Sequence, residues 1–335
     1  MAFGTCRPEM KFVPLTFVLI LAIFGSIFLG TVSLSFSEFW RVITGNADTR
    51  LATIVIDIRL PRSLLAVFVG AGVSAAGAAI QGLFRNPLAD PALIGVSAGA
   101  ALFTSLFIVL GGSHDVAFLG MAGSAFLGGL IATWVVLLVG QRGGGLSTML
   151  LTGIAINAIA LSGVGLLSYL STDLQLRSIS AWALGSLNGA SWMAVVTSLA
   201  IPILVGLLYR ESRNLNVVTL GDEEATYLGV SHEKLRVRIV MLSALVVGLG
   251  VALTGVIAFL GLVVPHLIRM TLGSNHKIVL PGSALLGALF LLVADTVART
   301  VLAPTELPVG ILTALVGGPF FIFLILREQK DRLAL

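Results

Sequence analysis

Charge is scarce in this sequence. Of 335 residues only 11% are charged and 57% are hydrophobic, whereas a soluble domain carries roughly 25% charged residues. The mean hydropathy of +1.05 agrees, so the deficit excludes a soluble globule and indicates an all-α polytopic membrane protein. Cysteine is nearly absent. The single Cys6 excludes a disulfide within the chain and any cysteine-clustered metal site. The four histidines, His114, His232, His266 and His276, show no metal-ligand spacing. No GxxxxGK[ST] phosphate loop occurs: "RGGGLST" at 142–148 is glycine-rich but has no lysine. No polar stretch is long enough to hold an ATPase, so ATP, if used, is bound by another subunit. Ionisable groups at membrane depth are missing too, although ion-coupled transporters and pumps need them. The only acid well inside an apolar run is Asp295, near the outer end of its span with Arg299 one turn later. That spacing reads as a helix-end ion pair rather than a proton relay. An ion-coupled secondary transporter is therefore the weaker reading, and the energy source lies outside the membrane part of this chain.

Glycine, by contrast, is abundant, at 38 residues. Small residues let helix backbones approach closely in lipid. Gly70, Ser74, Ala78 and Gly82 form one four-residue ladder, Gly120, Ser124, Gly128 and Ala132 another, and Gly310, Ala314 and Gly318 a third. Apolar runs able to cross a bilayer, about 20 residues each, fall near 12–31, 60–84, 92–111, 116–140, 146–170, 192–210, 237–255, 256–271, 279–299 and 308–327. These predict ten transmembrane helices, the eighth short and carrying Pro265. The first run follows Arg7 and Lys11 like a signal peptide, but no small-x-small site closes it, so it reads as a retained first helix. With the N-terminus inside, Arg41, Arg50, Arg59, Arg62, Arg177 and Arg299 fall outside and the rest of the 20 basic residues inside. The asymmetry obeys the positive-inside rule and predicts both termini in the cytoplasm. It also accounts for a pI near 9.6 without nucleic acid.

Two polar stretches remain. The outer one, 32–59, carries "SEFWRVI", read as a short interfacial helix with Phe39 and Trp40 at headgroup level. The inner one, 211–236, carries "TLGDEEATYLGV" at 219–230. Thr219 followed three residues later by Asp222 is a helix-start signature. Acids in a first turn suit the positive end of the helix dipole, Ala225 and Leu228 share a face, and Gly229 supplies a left-handed C-cap. Residues 222–228 are thus predicted as a separate short helix on the cytoplasmic side, either a solvated loop helix or a docking helix for a cytoplasmic partner. "RNPLADP" at 85–91 is a tight inner connection, with Pro87 and Pro91 stopping helices on either side and Asn86 before proline favouring a turn. "GVSAG" at 95–99 matches the GxSxG nucleophile pattern, whose elbow needs a strand-to-helix turn. An intramembrane serine protease, with Ser97 as nucleophile and His266 as base, needs both groups at one depth in a wet cavity.

Several segments together resemble the FecCD-type permeases of ABC importers, which carry iron–siderophore complexes, haem or cobalamin. They are "RLPRSLLAVFVGAGVSAAGAAIQGLFRNPLADPALIGVSAGA" (59–100), "GDEEATYLGV" (221–230), "GVIAFLGLVVPHLIRM" (255–270) and "ADTVARTVLAPTELPVGILTALVGGPFFIFLI" (294–325). The resemblance runs from about residue 59 to the C-terminus. It implies one permease domain over 1–335, with ten helices per protomer in a type II importer homodimer of the bacterial inner membrane. Two separate ATPase subunits, which bind ATP and Mg, sit beneath it, and a periplasmic binding protein delivers cargo; this chain itself holds no cofactor and no catalytic residue. The resemblance makes Gly221, Asp222, Glu223, Glu224, Ala225, Leu228 and Gly229 the coupling helix that enters a groove of the ATPase. Arg59, Arg62 and Arg299 would receive acidic residues of the binding protein, or simply anchor helix ends. Cargo would pass at the dimer interface along span five, past Gly153, Asn157, Ser162 and Gly165, which could equally be packing positions. An inner gate is expected near Leu146 and Ser147. "LQLRSISAWALGSLNGASW" (174–192) is most similar to the haem-permease branch. Arg177, doubled across the dimer, would there meet the two haem propionates through charge-assisted bonds. Ferric siderophore and cobalamin are the alternative cargoes.

Overall fold

The computed structural model describes residues 12–111, 117–142 and 145–333. Cys6, Arg7, Lys11 and His114, with Gly143 and Gly144 of "RGGGLST", lie outside the described residues. No strand occurs among the described residues. The helices in chain order are α1 (Val13–Phe28), α2 (Phe36–Ile43), α3 (Thr49–Leu83), α4 (Val96–Val109), α5 (Ala117–Arg142), α6 (Leu146–Leu170) and α7 (Asp173–Ala183). There follow α8 (Trp192–Arg210), α9 (Ser212–Val218), α10 (Asp222–Tyr227), α11 (His232–Thr254), α12 (Leu260–Leu272), α13 (His276–Ala298) and α14 (Val309–Leu333). Each apolar run of the sequence becomes a helix. Six, α3, α5, α6, α8, α11 and α13, are long and apolar enough to cross a membrane, while α1, α4, α12 and the apolar part of α14 are shorter.

Some details differ from the sequence reading. Helix α3 begins at Thr49, well ahead of the run expected from residue 60. Nothing in residues 49–60 breaks a helix, and Pro61, which has no N–H for the Asp57 carbonyl, is met by wide π-type turns over Thr53–Arg59. Pro265 lies inside α12 without ending it. That helix is short because the chain unwinds ahead of it over 255–259, with Gly255 at φ +71° and Phe259 at φ +64°. In α2 the capping box of Ser35 and Glu38 forms the start. Phe39 turns inward, its ring 5.1 Å from that of Phe28, so the exposed apolar stripe is Phe36, Trp40 and Ile43.

Helix α3 is the axis of the bundle. It packs against α1, α8, α11, α12 and α13, and every residue from Gly72 to Leu83 is buried, which is why this segment is apolar or small on all sides except at Gln81, whose amide is hydrogen-bonded. Helices α4, α5 and α6 form a second group, joined to the first through α11. The glycine ladders make the close approaches. A β-carbon on Gly70 of α3 or Gly287 of α13 would overlap the other's carbonyl oxygen, and Gly82 lies under the His276 ring. Gly99 of α4 and Gly128 of α5 stand in the same relation, and Gly310 abuts the Leu184 and Val256 carbonyls.

Candidate functional site

The stretch 219–230 forms a discrete helix, α10. It follows Gly221 at φ +139° and ends in a Schellman motif. Gly229, at φ +80°, donates to the Thr226 carbonyl at 3.0 Å, and Val230 donates to that of Ala225 at 2.9 Å. Ala225 is buried, whereas Asp222, Glu223 and Glu224 are exposed and Tyr227 and Leu228 expose 89% and 61% of their surface. Two expectations are corrected. Thr219 does not cap α10; its hydroxyl donates to the Asn216 carbonyl at 2.6 Å and closes α9 instead. Leu228 does not share the buried face of Ala225, because it is the C-cap residue, past the last helical position. The outward face of α10 is therefore acidic, with two large side chains beside the acids.

Polar contacts tie α10 and its neighbours together at this end of the bundle. The Asp222 carboxylate pairs with the Arg85 guanidinium and lies 3.7 Å from Nε2 of His232 at the start of α11. Asn216 of α9 takes the His276 backbone N–H on Oδ1 at 2.8 Å, faces His276 Nδ1 at 2.9 Å, and donates from Nδ2 to Asn275 Oδ1 at 2.9 Å. Buried Gln81 ties α3 to α12, donating to the Gly261 and Leu262 carbonyls at 3.2 Å each and accepting from Arg269. Helix α3 ends in a Schellman motif of its own: Asn86 N–H bonds the Gln81 carbonyl at 3.1 Å and Arg85 N–H that of Gly82 at 3.3 Å. Its left-handed position, normally glycine, holds Arg85 at φ +48°.

Helix α6 is the least buried of the six long apolar helices and shows Leu151, Ile159, Leu166 and Tyr169 to the outside. Ser162 and Gly165 lie on this exposed face, with open space around Gly165. Gly153 and Asn157 instead take the packing alternative that the sequence left open. A β-carbon on buried Gly153 would overlap the Leu93 carbonyl oxygen, and Asn157 Nδ2 donates to the Ala92 carbonyl at 3.0 Å. Both hold α6 against the Pro91–Ile94 turn. In the first turn of α6, Leu146 is half-buried against the core and Ser147 is exposed. Arg177 is exposed on α7 and makes no ion pair among the described residues. Helix α7 is positioned by its Thr172–Gln175 capping box and by Gln175 Nε2, which donates to the Ile108 and Val109 carbonyls at 3.3 Å.

At the opposite end from α10, Arg59, Arg62 and Arg299 are each only 4% exposed. Arg62 Nε reaches both oxygens of Asp295 at 3.0 Å, its Nη2 reaches Oδ1 at 2.8 Å, and its Nη1 reaches Glu306 at 2.8 Å. Arg299 Nη2 donates to the Ser26 carbonyl at 2.8 Å, and its Nε lies 3.6 Å from Asp295 Oδ2. Arg59 caps the end of α1 through the Ile27, Phe28 and Val32 carbonyls. All three guanidinium groups are committed within the chain, so a surface docking role does not fit them. For Arg62 and Arg299 the cause is Asp295, fully buried, which requires cations around it; Arg59 is held instead by the carbonyls at the end of α1. The expected Asp295–Arg299 pair exists, but Arg62 is the nearer partner.

Ser97 lines a cavity of about 270 Å³ with Asp90, Thr254 and the unwound 255–259 segment, and His266 is not among its walls. A 3₁₀ turn, Pro91–Ile94, precedes α4 where a nucleophile elbow needs a strand. The strand-to-helix elbow of a serine nucleophile is not formed at Ser97.

A sequence profile of the FecCD transport family matches residues 18–327. The chain belongs to the FecCD transport family. This FecCD chain is 47% identical over 335 positions to a hemin transport system permease protein, HmuU, of Yersinia pestis, covering 98% of this chain and 99% of the relative. It is 37% identical over 300 positions to a vitamin B12 import system permease protein, BtuC, of Salmonella paratyphi A, covering 89% and 91%. It superposes with a TM-score of 0.86 and 34% identity on a solved metal-chelate type ABC transporter in an inward-facing conformation, over 96% of this chain and 100% of that one. The FecCD chain is accordingly a multi-pass membrane permease subunit of an ABC importer, and not itself an enzyme.

Proposed function

We propose that this permease moves haem from a periplasmic binding protein across the inner membrane to the cytoplasm. Two copies pair through the exposed apolar face of α6, and cargo passes between them beside Ser162 and Gly165, with Leu146 and Ser147 at the inner gate. Each copy crosses the membrane ten times as a single domain, with both termini in the cytoplasm. Two ATPase subunits, which bind ATP and Mg, receive α10. The observation that carries the haem reading is the end-to-end 47% identity to a hemin permease, against 37% to a vitamin B12 permease. Arg177, exposed and unpaired among the described residues, supports it as a donor to a haem propionate. The vitamin B12 relative keeps cobalamin as the second reading, with a ferric siderophore beside it.

The deciding measurement is ATP hydrolysis by the liposome-reconstituted permease–ATPase complex, with binding protein loaded in parallel with haem, a ferric siderophore or cobalamin. Haem should stimulate most; a strong siderophore response with none to haem reverses the order. The role of α10 has its own test. Glu223→Arg combined with Glu224→Arg reverses two exposed charges and should lower uptake roughly tenfold or more, since like charges across a docking surface cost several kcal/mol. Membrane insertion should be unchanged because both side chains are exposed. Wild-type uptake by this variant would remove α10 from the coupling role.

A further inference from the structure

We infer that the connector 84–95 between α3 and α4 carries the movement of α10 to the pathway helix α6, with Arg85 as its positioning residue. The inference rests on reading α10 as the ATPase-facing helix. At one end of the connector, Arg85 pairs with Asp222, the first residue of α10. At the other end, the Ala92 carbonyl accepts from Asn157 of α6 at 3.0 Å, and Gly153 of α6 lies flush against the Leu93 carbonyl. The segment between them is stiff. Asn86 Oδ1 accepts from Leu88 N–H at 2.9 Å and the Asn86 carbonyl from Ala89 N–H at 3.1 Å. Asp90 Oδ1 accepts from Ala92 N–H at 2.7 Å. Pro87 and Pro91 fix φ at two further positions, and Ala89 and Pro91 are buried. A displacement at Arg85 thus meets no soft joint before it reaches α6.

The backbone shows that Arg85 is there for its side chain. Its position in the Schellman motif favours glycine, and a non-glycine residue at positive φ costs stability. The ion pair does not repay this through folding. Its side chains are 35% and 70% exposed, and exposed pairs add little to stability. Arginine here works against the local backbone preference and fits a role in transmission. It is also the one residue of the connector whose side chain reaches α10 by an ion pair among the described residues.

These features make Arg85→Gly an informative variant, because it removes the cation while relieving the turn. The assay uses the permease–ATPase complex in liposomes, with Cys6→Ser and a spin label on a cysteine replacing Ser147, and follows the label's mobility on adding ATP and vanadate. In the parent complex the label should respond to nucleotide. In Arg85→Gly the response should shrink roughly fivefold or more, the low end of typical site-to-site coupling, while melting temperature stays the same or rises and ATP hydrolysis continues. Asp222→Ala should reproduce this, and the double variant should lose no more than either single one. A full label response in Arg85→Gly overturns the inference, as does a parent complex whose Ser147 label ignores nucleotide. Glu223→Arg with Glu224→Arg separates the two readings. If it abolishes the response while Arg85→Gly does not, only the connector is wrong; if both variants respond fully, the coupling role of α10 falls as well.

Discussion

Replacing Asp295 with alanine should cost about 3–5 kcal/mol of stability, the range for removing one partner of a buried ion pair. Asp295 is fully buried, and Arg62 and Arg299 at 4% exposure are nearly so. Without the carboxylate, Arg62 keeps only Glu306, whose side chain is 26% exposed, and Arg299 keeps the Ser26 carbonyl and the Thr296 hydroxyl. The loss is a large part of the roughly 5–15 kcal/mol that holds a domain together. Thermal unfolding in detergent is the direct measurement, with Asp295→Asn, which keeps an acceptor but not the charge, falling between. Arg62→Met with Asp295→Leu should recover only part of the loss, because it removes one ion pair whole but leaves Arg299 buried without its carboxylate and Glu306 without Arg62. An Asp295→Ala protein that melts with the parent would mean water reaches these guanidinium groups. The same variants bear on the energy source. A proton relay through Asp295 predicts that Asp295→Asn abolishes uptake at unchanged stability. An ATP-driven permease predicts the reverse, lower stability with uptake per folded molecule that still needs ATP.

That network marks a boundary of what the sequence makes legible. Arg62 and Asp295 are separated by 233 positions, and no local spacing pairs them; the i, i+4 neighbour Arg299 was visible and turned out to be the weaker contact. Local features fared better, because helix periodicity, ladders of small residues and a glycine C-cap depend on a few adjacent positions. The apolar helices, the Gly70–Gly82 ladder and the Gly229 cap follow from such short patterns. Residues in α6 show the intermediate case. A small or amide side chain suits a pathway wall and a packing face equally, and only the fold assigns Asn157 to the Ala92 carbonyl and leaves Ser162 exposed. The turn at 85–91 was legible from its prolines, but the left-handed backbone of Arg85 and its partner required the fold, in which α10 returns to the end of α3. No feature of "RNPLADP" itself announces that meeting.

Gly70→Ala should destabilise the protein even though alanine is the better helix former. In a helix interior the exchange is worth up to about 1 kcal/mol in alanine's favour, so a site with free space would gain. At Gly70 the new β-carbon would overlap the Gly287 carbonyl oxygen and press on Leu291. Both neighbours belong to α13, and the first is backbone that cannot rotate away. Overpacking of this kind costs about 1–3 kcal/mol, which exceeds the propensity gain, and Gly70→Val should reach the upper end or beyond. Gly206→Ala in α8 is the matched control, since nothing lies within 4 Å of a β-carbon there, and it should be neutral or stabilising. Melting temperatures of the three variants decide the matter by sign: a Gly70→Ala protein more stable than its parent would show that α3 and α13 part easily. The expected order has a mechanical consequence. With Gly70 against Gly287, Arg62 on Asp295 towards one end and Gly82 under His276 towards the other, α3 and α13 move as one body. Movement in transport then falls to the helices outside that pair, the α4–α6 group, which the connector joins to the end of α3.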